Sequence, residues 1–372
     1  MKKIARWLNE SAYTAPLSPA CKMCAHGSKL VVLITGLCTA KCFYCPLSFE
    51  KGGKDRIFAD EWELDNENDT KKLIHEAEYI DATGAGITGG DPLIVWERTK
   101  KYISLLKETF GENFHIHLYT SGLKNGEHLD DLVSTGLDEI RFHPSPKDWN
   151  KMERSPILHS IKNALETSAD IAFEIPAIPD MEHEMFSLVK WANDMGLKWI
   201  NLNELEFSER NCDALIRRKY AVKDDISAAV KGSQKSALRV LDMIANENLK
   251  IGVHYCSSSF KDGIQLTNRI KRRANNVARD HEIISDDGTL IKGIIYSEDA
   301  NSLQKFHLSL KQEFNIPDNH IFLNKEKNRI EIGLWILEKI APVLKKRKLQ
   351  CYMVEEYPTA DGLEVERSPL PL

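Results

Sequence analysis

The sequence has no apolar leader at its start and no apolar run long enough to cross a bilayer. Its opening, "MKKIARWLNESAY", is short and mixed and reads as a helical start. It also lacks a charge excess: 50 Lys and Arg stand against 55 Asp and Glu, a formal net charge of −5. No global electrostatic pull toward nucleic acid or an anionic membrane follows from that balance. There is no low-complexity tract and no repeat longer than a strand–helix unit. What remains is the composition of an ordinary globular chain of 372 residues, long enough for one large domain and a smaller one. The expected location is cytoplasmic.

Cysteine is not scarce. Cys21, Cys24, Cys38, Cys42 and Cys45 crowd the first 45 residues, and Cys212, Cys256 and Cys351 are scattered. In a long chain without an export signal, clustered cysteines hold metal more often than they form disulfides. An isolated one such as Cys351, in an apolar strand pattern, reads as core.

From Lys29 to about Phe260 short apolar runs alternate with helical periods: "LVVLITG", "AGITGG", "FHIHLYT", "LDEIRFHP", "DIAFEIPAIP" and "KWINLNELEF" read as strands, and "LKIGVHYCS" as a possible seventh. Between them lie helices, one with Ser155 as its N-cap and Pro156 in its first turn, and a long one over roughly Asp225 to Asn248. Repeated strand–helix–strand units imply a parallel sheet with right-handed crossovers. The unusual residues sit at strand ends: Cys38, Gly89–Asp91, Thr120–Ser121, Arg141, His143, Glu174, Asn203 and Glu204. That rim is where barrels gather chemistry. The expected fold is α/β, a partial (β/α)6-type TIM barrel. Residues 1–28 form an extension with a CxxC pair, 29–260 the barrel, and 261–372 a smaller α+β region with a hairpin at "DDG", an amphipathic helix at "IEIGLWILEKIAPVLKKR" and a Pro-rich tail.

Three readings compete for Cys38, Cys42 and Cys45. Structural zinc prefers four ligands in paired units. A ferredoxin run needs a fourth cysteine and other spacings, although Pro46 does follow Cys45. A four-iron cluster held by three thiolates, with one iron open, fits CxxxCxxC.

This third pattern resembles the radical S-adenosylmethionine (SAM) superfamily, in Cys38, Cys42, Tyr44 and Cys45 after the first strand and "GGDP" after the second. Asp91 stands where the family more often has Glu. "GLCTAKCFYCPLS", "GAGITGGDPL", "FHIHLYT" and "GLDEIRFHP" look like archaeal-type relatives of pyruvate formate-lyase activating enzyme. The resemblance implies a [4Fe-4S] cluster on Cys38, Cys42 and Cys45 that reductively cleaves SAM to a 5′-deoxyadenosyl radical, which abstracts hydrogen from a substrate. It implies SAM contacts at Tyr44, Gly89, Gly90, Asp91, Thr120, Ser121, Arg141, Asn203 and Glu204, a single-electron donor such as ferredoxin or flavodoxin, and a closed, largely apolar barrel mouth. For Arg141 a salt bridge to Glu139 is the plain alternative, and for Asn203 and Glu204 a polar strand end.

Cys21 and Cys24, with Cys256 as a third ligand and His254, His26 or Cys212 as a fourth, read as a second metal site, an auxiliary iron–sulfur cluster or zinc, or else as a redox dithiol. His115, His117 and His143 line the cavity or sit satisfied in the core. The substrate stays unidentified, with a glycyl-radical protein or a tRNA as alternatives, the latter resting on "RIKRRANNVAR", for which a solvated basic helix face is the more common explanation. The rival of another class is a zinc-stabilised binding protein with no activity.

Overall fold

In β7 (His115–Thr120) Ile116 and Leu118 join the apolar core, whereas His115, His117 and Tyr119 stand on the other face. The same period of two runs through β8 (Glu139–Phe142), β9 (Asp170–Ala177), β10 (Trp199–Glu204) and β11 (Gly252–Cys256). One face contributes Ile140, Phe142, Ile171, Phe173, Ile175, Ile200, Leu202 and Val253 to the core. The other carries Glu139, Arg141, Glu174, Asn201, Asn203 and His254. Successive Cβ atoms point to opposite faces of a sheet, so this alternation separates an apolar layer from a polar one.

The structure is a computed structural model, and it describes residues 3–224, 227–296 and 303–370. The chain divides into two compact units, Met1–Leu266 and Thr267–Leu372. In the first, β11, β10, β9, β8, β7, β6 (Gly84–Thr88) and β3 (Lys29–Leu33) run parallel in that order. The sheet curls without closing. β4 (Ile57–Ala59) and β5 (Trp62–Leu64) pair at one edge, and the N-terminal strands β2 (Ala12–Thr14) and β1 (Ile4–Arg6) at the other. It is a partial TIM barrel. The curl brings the loop after β3 against the loop after β10, where the Ser208 hydroxyl donates to the Cys45 carbonyl at 3.3 Å.

The helices are α1 (Pro19–His26), α2 (Thr70–Tyr79), α3 (Trp96–Phe110), α4 (Leu129–Ser134), α5 (Leu158–Leu165), α6 (Glu182–Asp194), α7 (Cys212–Arg217) and α8 (Ser233–Ala245). α8 buries Ser233, Ser236, Ala237, Val240, Leu241 and Ile244, a 3.6-residue stripe. α1 has a clear start and stop: the Ser18 hydroxyl accepts from Cys21 N, Pro19 opens the first turn, and Gly27 closes it in the left-handed conformation.

Several expectations are corrected. The N-terminus forms two short strands rather than a helix: β2 pairs with the β11 edge and β1 pairs with β2, three residues in each case. α5 begins at Leu158; the Ser155 hydroxyl is buried and makes no hydrogen bond, so it does not cap the helix. The long helix starts at Ser233, since Ala229 and Val230 instead bridge Glu206 and Val222; residues 225 and 226 lie outside the described residues.

The second unit is an antiparallel sheet ordered β14 (Ile321–Asn324), β15 (Arg329–Ile332), β13 (Leu290–Tyr296), β16 (Gln350–Glu356) and β17 (Glu364–Leu370), with β12 (Ile283–Ile284) also on β13. The β12–β13 hairpin turns at Asp286–Gly288, and Gly288 has φ +88. A short turn, α9 (Ser258–Phe260), and a helical segment at Lys261–Leu266 end the first unit, and α10 (Thr267–Val277) opens the second. Leu337, Ile340, Ala341 and Leu344 of α12 (Leu334–Lys346) form an apolar core with Leu303 and Leu310 of α11 (Leu303–Glu313), the strand residues Ile295, Ile330 and Ile332, and Cys351. The "IEI" expected to begin that helix is strand, and the Pro-rich tail is the edge strand β17, where Pro369 is tolerated because an edge has a free side. Arg273 of the basic helix α10 is buried, so that helix is not simply a solvated face.

A Cβ added at Gly252 would overlap the Pro16 carbonyl oxygen. Gly252→Ala is therefore expected to lower stability by about 1–3 kcal/mol through overpacking. Thermal unfolding of the metal-free protein reads this; an unchanged midpoint would mean the N-terminal strands are not held against β11 as described.

Candidate functional site

The loop after β3 is fixed by its backbone. Gly90 N donates to Thr35 O at 2.7 Å and Asp91 N to Leu37 O at 2.8 Å, while Ile34 N reaches Thr88 O at 2.9 Å. A Cβ at Gly89 would overlap the Thr35 carbonyl, and one at Gly90 the Leu37 carbonyl. Gly89 also has φ +142, a conformation that side chains disfavour. The two glycines are thus required by the close approach of the cysteine loop. Gly36, bonded to Lys54 O and accepting from Gly53 N, ties the other end of the same loop.

Asp91 is fully buried and acts as a hub. Its carboxylate accepts from Leu93 N at 3.2 Å, from Thr120 Oγ1 at 2.7 Å, from Ser121 N at 3.2 Å and from Ser121 Oγ. It fixes the end of β7 relative to the end of β6. From the other side, Asn211 Nδ2 donates to Tyr44 O at 3.2 Å and Ser208 to Cys45 O, so the segment before α7 straps the cysteine loop.

These strand ends enclose a cavity of about 760 Å³, within the size of small-molecule sites. Cys38, Cys42, Cys45, Tyr44, Gly89, Gly90, Thr120, Ser121, Asn203 and Glu204 all line it. Asp91 and Arg141 are not among its lining residues. The lining contains three thiols and no fourth. Burial pushes the Cys38 thiol up to about 11 and raises Cys42 also. Tyr44 shares a 2.9 Å hydrogen bond with His143 Nε2, and burial holds its phenol well above the usual value. The soft donor set, the open space above it and the missing fourth thiol fit a [4Fe-4S] cluster with one iron free for a ligand.

Arg141, expected at the SAM carboxylate, sits below the cavity. Its guanidinium bonds Glu139 at 2.6 Å, Glu174 at 2.7 Å and Ser18 at 2.7 Å, which is the salt-bridge alternative. The cavity lining is mostly apolar, as expected, but charged side chains also reach it. Glu174, which the sequence placed on the rim, reaches it, as do Glu206 and Lys261, which sequence reasoning had not singled out. Glu174 accepts from Asn201 at 2.9 Å and Asn203 at 2.6 Å. Burial would raise its pKa, but Arg141 and Asn203 outweigh that and hold it below the usual carboxylate value. Lys261 pairs with Glu206 at 2.6 Å. Its place just after the seventh strand is the same strand-end signal that found the others. His143 lines the cavity, whereas His115 and His117 do not.

Cys21 and Cys24 lie on α1 beneath this floor. Cys21 is within hydrogen-bonding reach of Asn201, at 3.3 Å, and Arg141 Nη2 lies 3.7 Å from its sulfur. Burial opposes ionisation, yet the charges of Arg141 and His254 bring its thiol down to about 6, while burial raises Cys24. Gln265 lies 3.5 Å from the Cys256 sulfur. Among the described residues only His281, Glu282 and Glu331 bring three ligand atoms within 4.8 Å of one another. Cys21, Cys24 and Cys256 therefore do not stand at the spacing a single zinc ion would require. At the His281 group the Lys292 ammonium sits 2.7 Å from Glu282 and 3.5 Å from Glu331, so the cation place is taken.

The chain resembles known proteins over its whole length. Residues 32–179 match the family described as Radical SAM superfamily, and residues 288–370 match a domain of unknown function, DUF8061. A curated relative from Methanocaldococcus jannaschii, whose name provisionally makes it a glycyl-radical enzyme activating enzyme, is 39% identical over 382 residues, covering all of this chain and 96% of the relative. Among solved structures, SuiB of Streptococcus suis bound to S-adenosylmethionine is similar at 12% identity and TM-score 0.44, over 62% of this chain and 50% of that one. Methylornithine synthase is similar at 9% identity and TM-score 0.40, over 65% of this chain and 79% of that one. The chain thus spans half of the SuiB chain, and structural likeness at this level carries no argument about the site. Among the described residues no helix is long and apolar enough to cross a membrane.

Two outcomes are expected. Arg141→Met leaves Glu139 and Glu174 buried without their cation and should destabilise the metal-free protein by about 3–5 kcal/mol; an unchanged melting midpoint would return Arg141 to a ligand-binding role. Because ligation needs thiolates and burial raises two of the three thiols, iron and sulfide loading should improve between about pH 7 and about pH 8.5. Loading that falls over that range would contradict the raised thiols.

Proposed function

As a member of the radical SAM superfamily this chain is an enzyme that uses a [4Fe-4S] cluster and S-adenosylmethionine, and we propose that Cys38, Cys42 and Cys45 hold the cluster and that the substrate is a residue of a partner protein. The observation that carries the assignment is a cavity lining with three thiols and no fourth. When bound, the pair supplies one-electron cleavage of the sulfonium to methionine and a 5′-deoxyadenosyl radical that removes hydrogen from the substrate.

The chain's own residues hold this chemistry in place. The Gly89–Gly90 backbone sets the height of the cysteine loop, and Asp91 sets Thr120 and Ser121 beside it. Thr120, Ser121 and Asn203 offer hydroxyl and amide groups to the nucleoside and its amino-acid end. Glu174, kept ionised by Arg141 and Asn203, gives the floor a fixed negative charge. Lys261, paired with Glu206, sets a cation on the wall near Cys256. Such preoriented groups need no rearrangement as charge moves. The protein substrate is supported by the full-length similarity to a relative named as an activating enzyme.

Anaerobic protein with dithionite should form 5′-deoxyadenosine from S-adenosylmethionine, and Cys38→Ala, Cys42→Ala or Cys45→Ala should abolish it with loss of iron. A triple variant that keeps iron and cleavage would refute the ligand assignment. Deuterium from labelled glycine in a protein fraction should appear in 5′-deoxyadenosine; its arrival from a tRNA fraction instead would replace the activase reading.

A further inference from the structure

We propose that Cys21 and Cys24 are a site of reversible thiol–disulfide exchange, which a small disulfide such as oxidised glutathione closes and a thiol reopens. The site does not depend on the radical chemistry. Both thiols are free, and neither lines the cavity.

The start of α1 builds the pair. Ser18 caps the helix and Pro19 opens it, so Cys21 falls in the first turn and Cys24 three residues on, over the same face. A C-x-x-C pair at a helix start is an arrangement that favours a thiolate. The surroundings of Cys21 favour it further. Arg141 Nη2 lies 3.7 Å from its sulfur and Asn201 Nδ2 3.3 Å. The Ser18 hydroxyl accepts from Cys21 N at 3.1 Å and from Arg141 Nη2 at 2.7 Å, so one cap holds both the helix and the cation. His254, packed against the rings of Trp7 and Phe260, adds its charge. Burial opposes the thiolate, yet these groups bring Cys21 down to about 6.

The two sulfurs differ in access. Cys21 is 3% exposed, whereas Cys24 is half-buried. Cys24 is therefore the sulfur that an outside disulfide meets. The cation beside it is Lys29, whose ammonium also lies 3.3 Å from the Tyr119 hydroxyl. The Cys24 thiolate attacks one sulfur of oxidised glutathione and expels the first glutathione thiolate. The Cys21 thiolate then attacks the Cys24 sulfur and expels the second. One disulfide is reduced to two thiols while one dithiol is oxidised to a disulfide, so the electrons balance. In reverse, a thiol attacks Cys24, and Cys21 leaves as the thiolate that Arg141 stabilises. A stabilised leaving thiolate makes a disulfide easy to reduce, which marks an exchanging pair rather than a structural one. Closing the pair also withdraws an anion from Arg141, whose other partners are Glu139 and Glu174.

The test is peptide mapping by mass spectrometry of the full chain, purified anaerobically. The chain is equilibrated over a series of ratios of reduced to oxidised glutathione, and free thiols are trapped with iodoacetamide. A Cys21–Cys24 disulfide is expected at low ratios and is expected to open as reduced glutathione rises. Cys21→Ser should hold one glutathione on Cys24, and Cys24→Ser should hold none on Cys21. Arg141→Met should make the disulfide about tenfold harder to reduce, because the leaving thiolate loses its cation. Should that variant melt early, the unmodified chain and Cys21→Ser decide. Free Cys21 and Cys24 at every ratio, a disulfide that excess reduced glutathione leaves closed, or Cys21 joined to another cysteine such as Cys256 overturns the proposal. So does glutathione held on Cys21 in Cys24→Ser. Formation of 5′-deoxyadenosine is read separately: its absence would count against the functional reading and leave the exchange standing.

Discussion

The site depends on a backbone clasp. Thr35 and Leu37 present their carbonyls to the amides of Gly90 and Asp91, at a separation that no side chain on residues 89 or 90 would permit. From that contact the rest follows in sequence. The clasp sets the cysteine loop at the top of β3, the Asp91 carboxylate carries the position across to Thr120 and Ser121, and the segment before α7 closes over Tyr44 and Cys45. Backbone hydrogen bonds are individually worth about 1 kcal/mol. Their value here is geometric, because three strand ends are located by one set of contacts.

Below the clasp the barrel is filled with charge. Arg141 bonds Glu139, Glu174 and Ser18, and Glu174 in turn accepts from Asn201 and Asn203. A buried charge is tolerated only when paired and hydrogen-bonded. Here the pairing reaches from α1 at the base to Glu174 at the cavity floor. The network keeps a carboxylate ionised directly under the space where a cationic sulfonium compound would sit. An opposite charge at that place favours binding of such a cation.

Much of this was legible beforehand, for a physical reason. The spacing of Cys38, Cys42 and Cys45, the glycine pair and the polar strand ends are local features, and β strands in a parallel sheet bring their ends together by topology alone. For Arg141 the Glu139 pairing was legible as the alternative, but its sharing with Ser18 and Glu174 was not, because only the fold brings residues 18 and 174 to face it. The glycines were read only as SAM contacts; that they also make room for the carbonyls of Thr35 and Leu37 shows only in the fold. The N-terminal strands were missed because three-residue strands leave almost no periodicity. The CxxC pair suggested Cys256 as a third ligand; the register of β11 puts Cys256 beside Asn203, near enough to Cys21 and Cys24 to feel their charge but not at the spacing of a single zinc ion.

The most direct measurement is the electron paramagnetic resonance spectrum of the reduced, iron-loaded protein, before and after S-adenosylmethionine is added. If three thiolates leave one iron free for that ligand, the signal will shift and change shape on addition, and it will vanish in a protein lacking the loop thiols. A reduced signal of unchanged shape at saturating S-adenosylmethionine would mean that no iron is open, and the central assignment would fall.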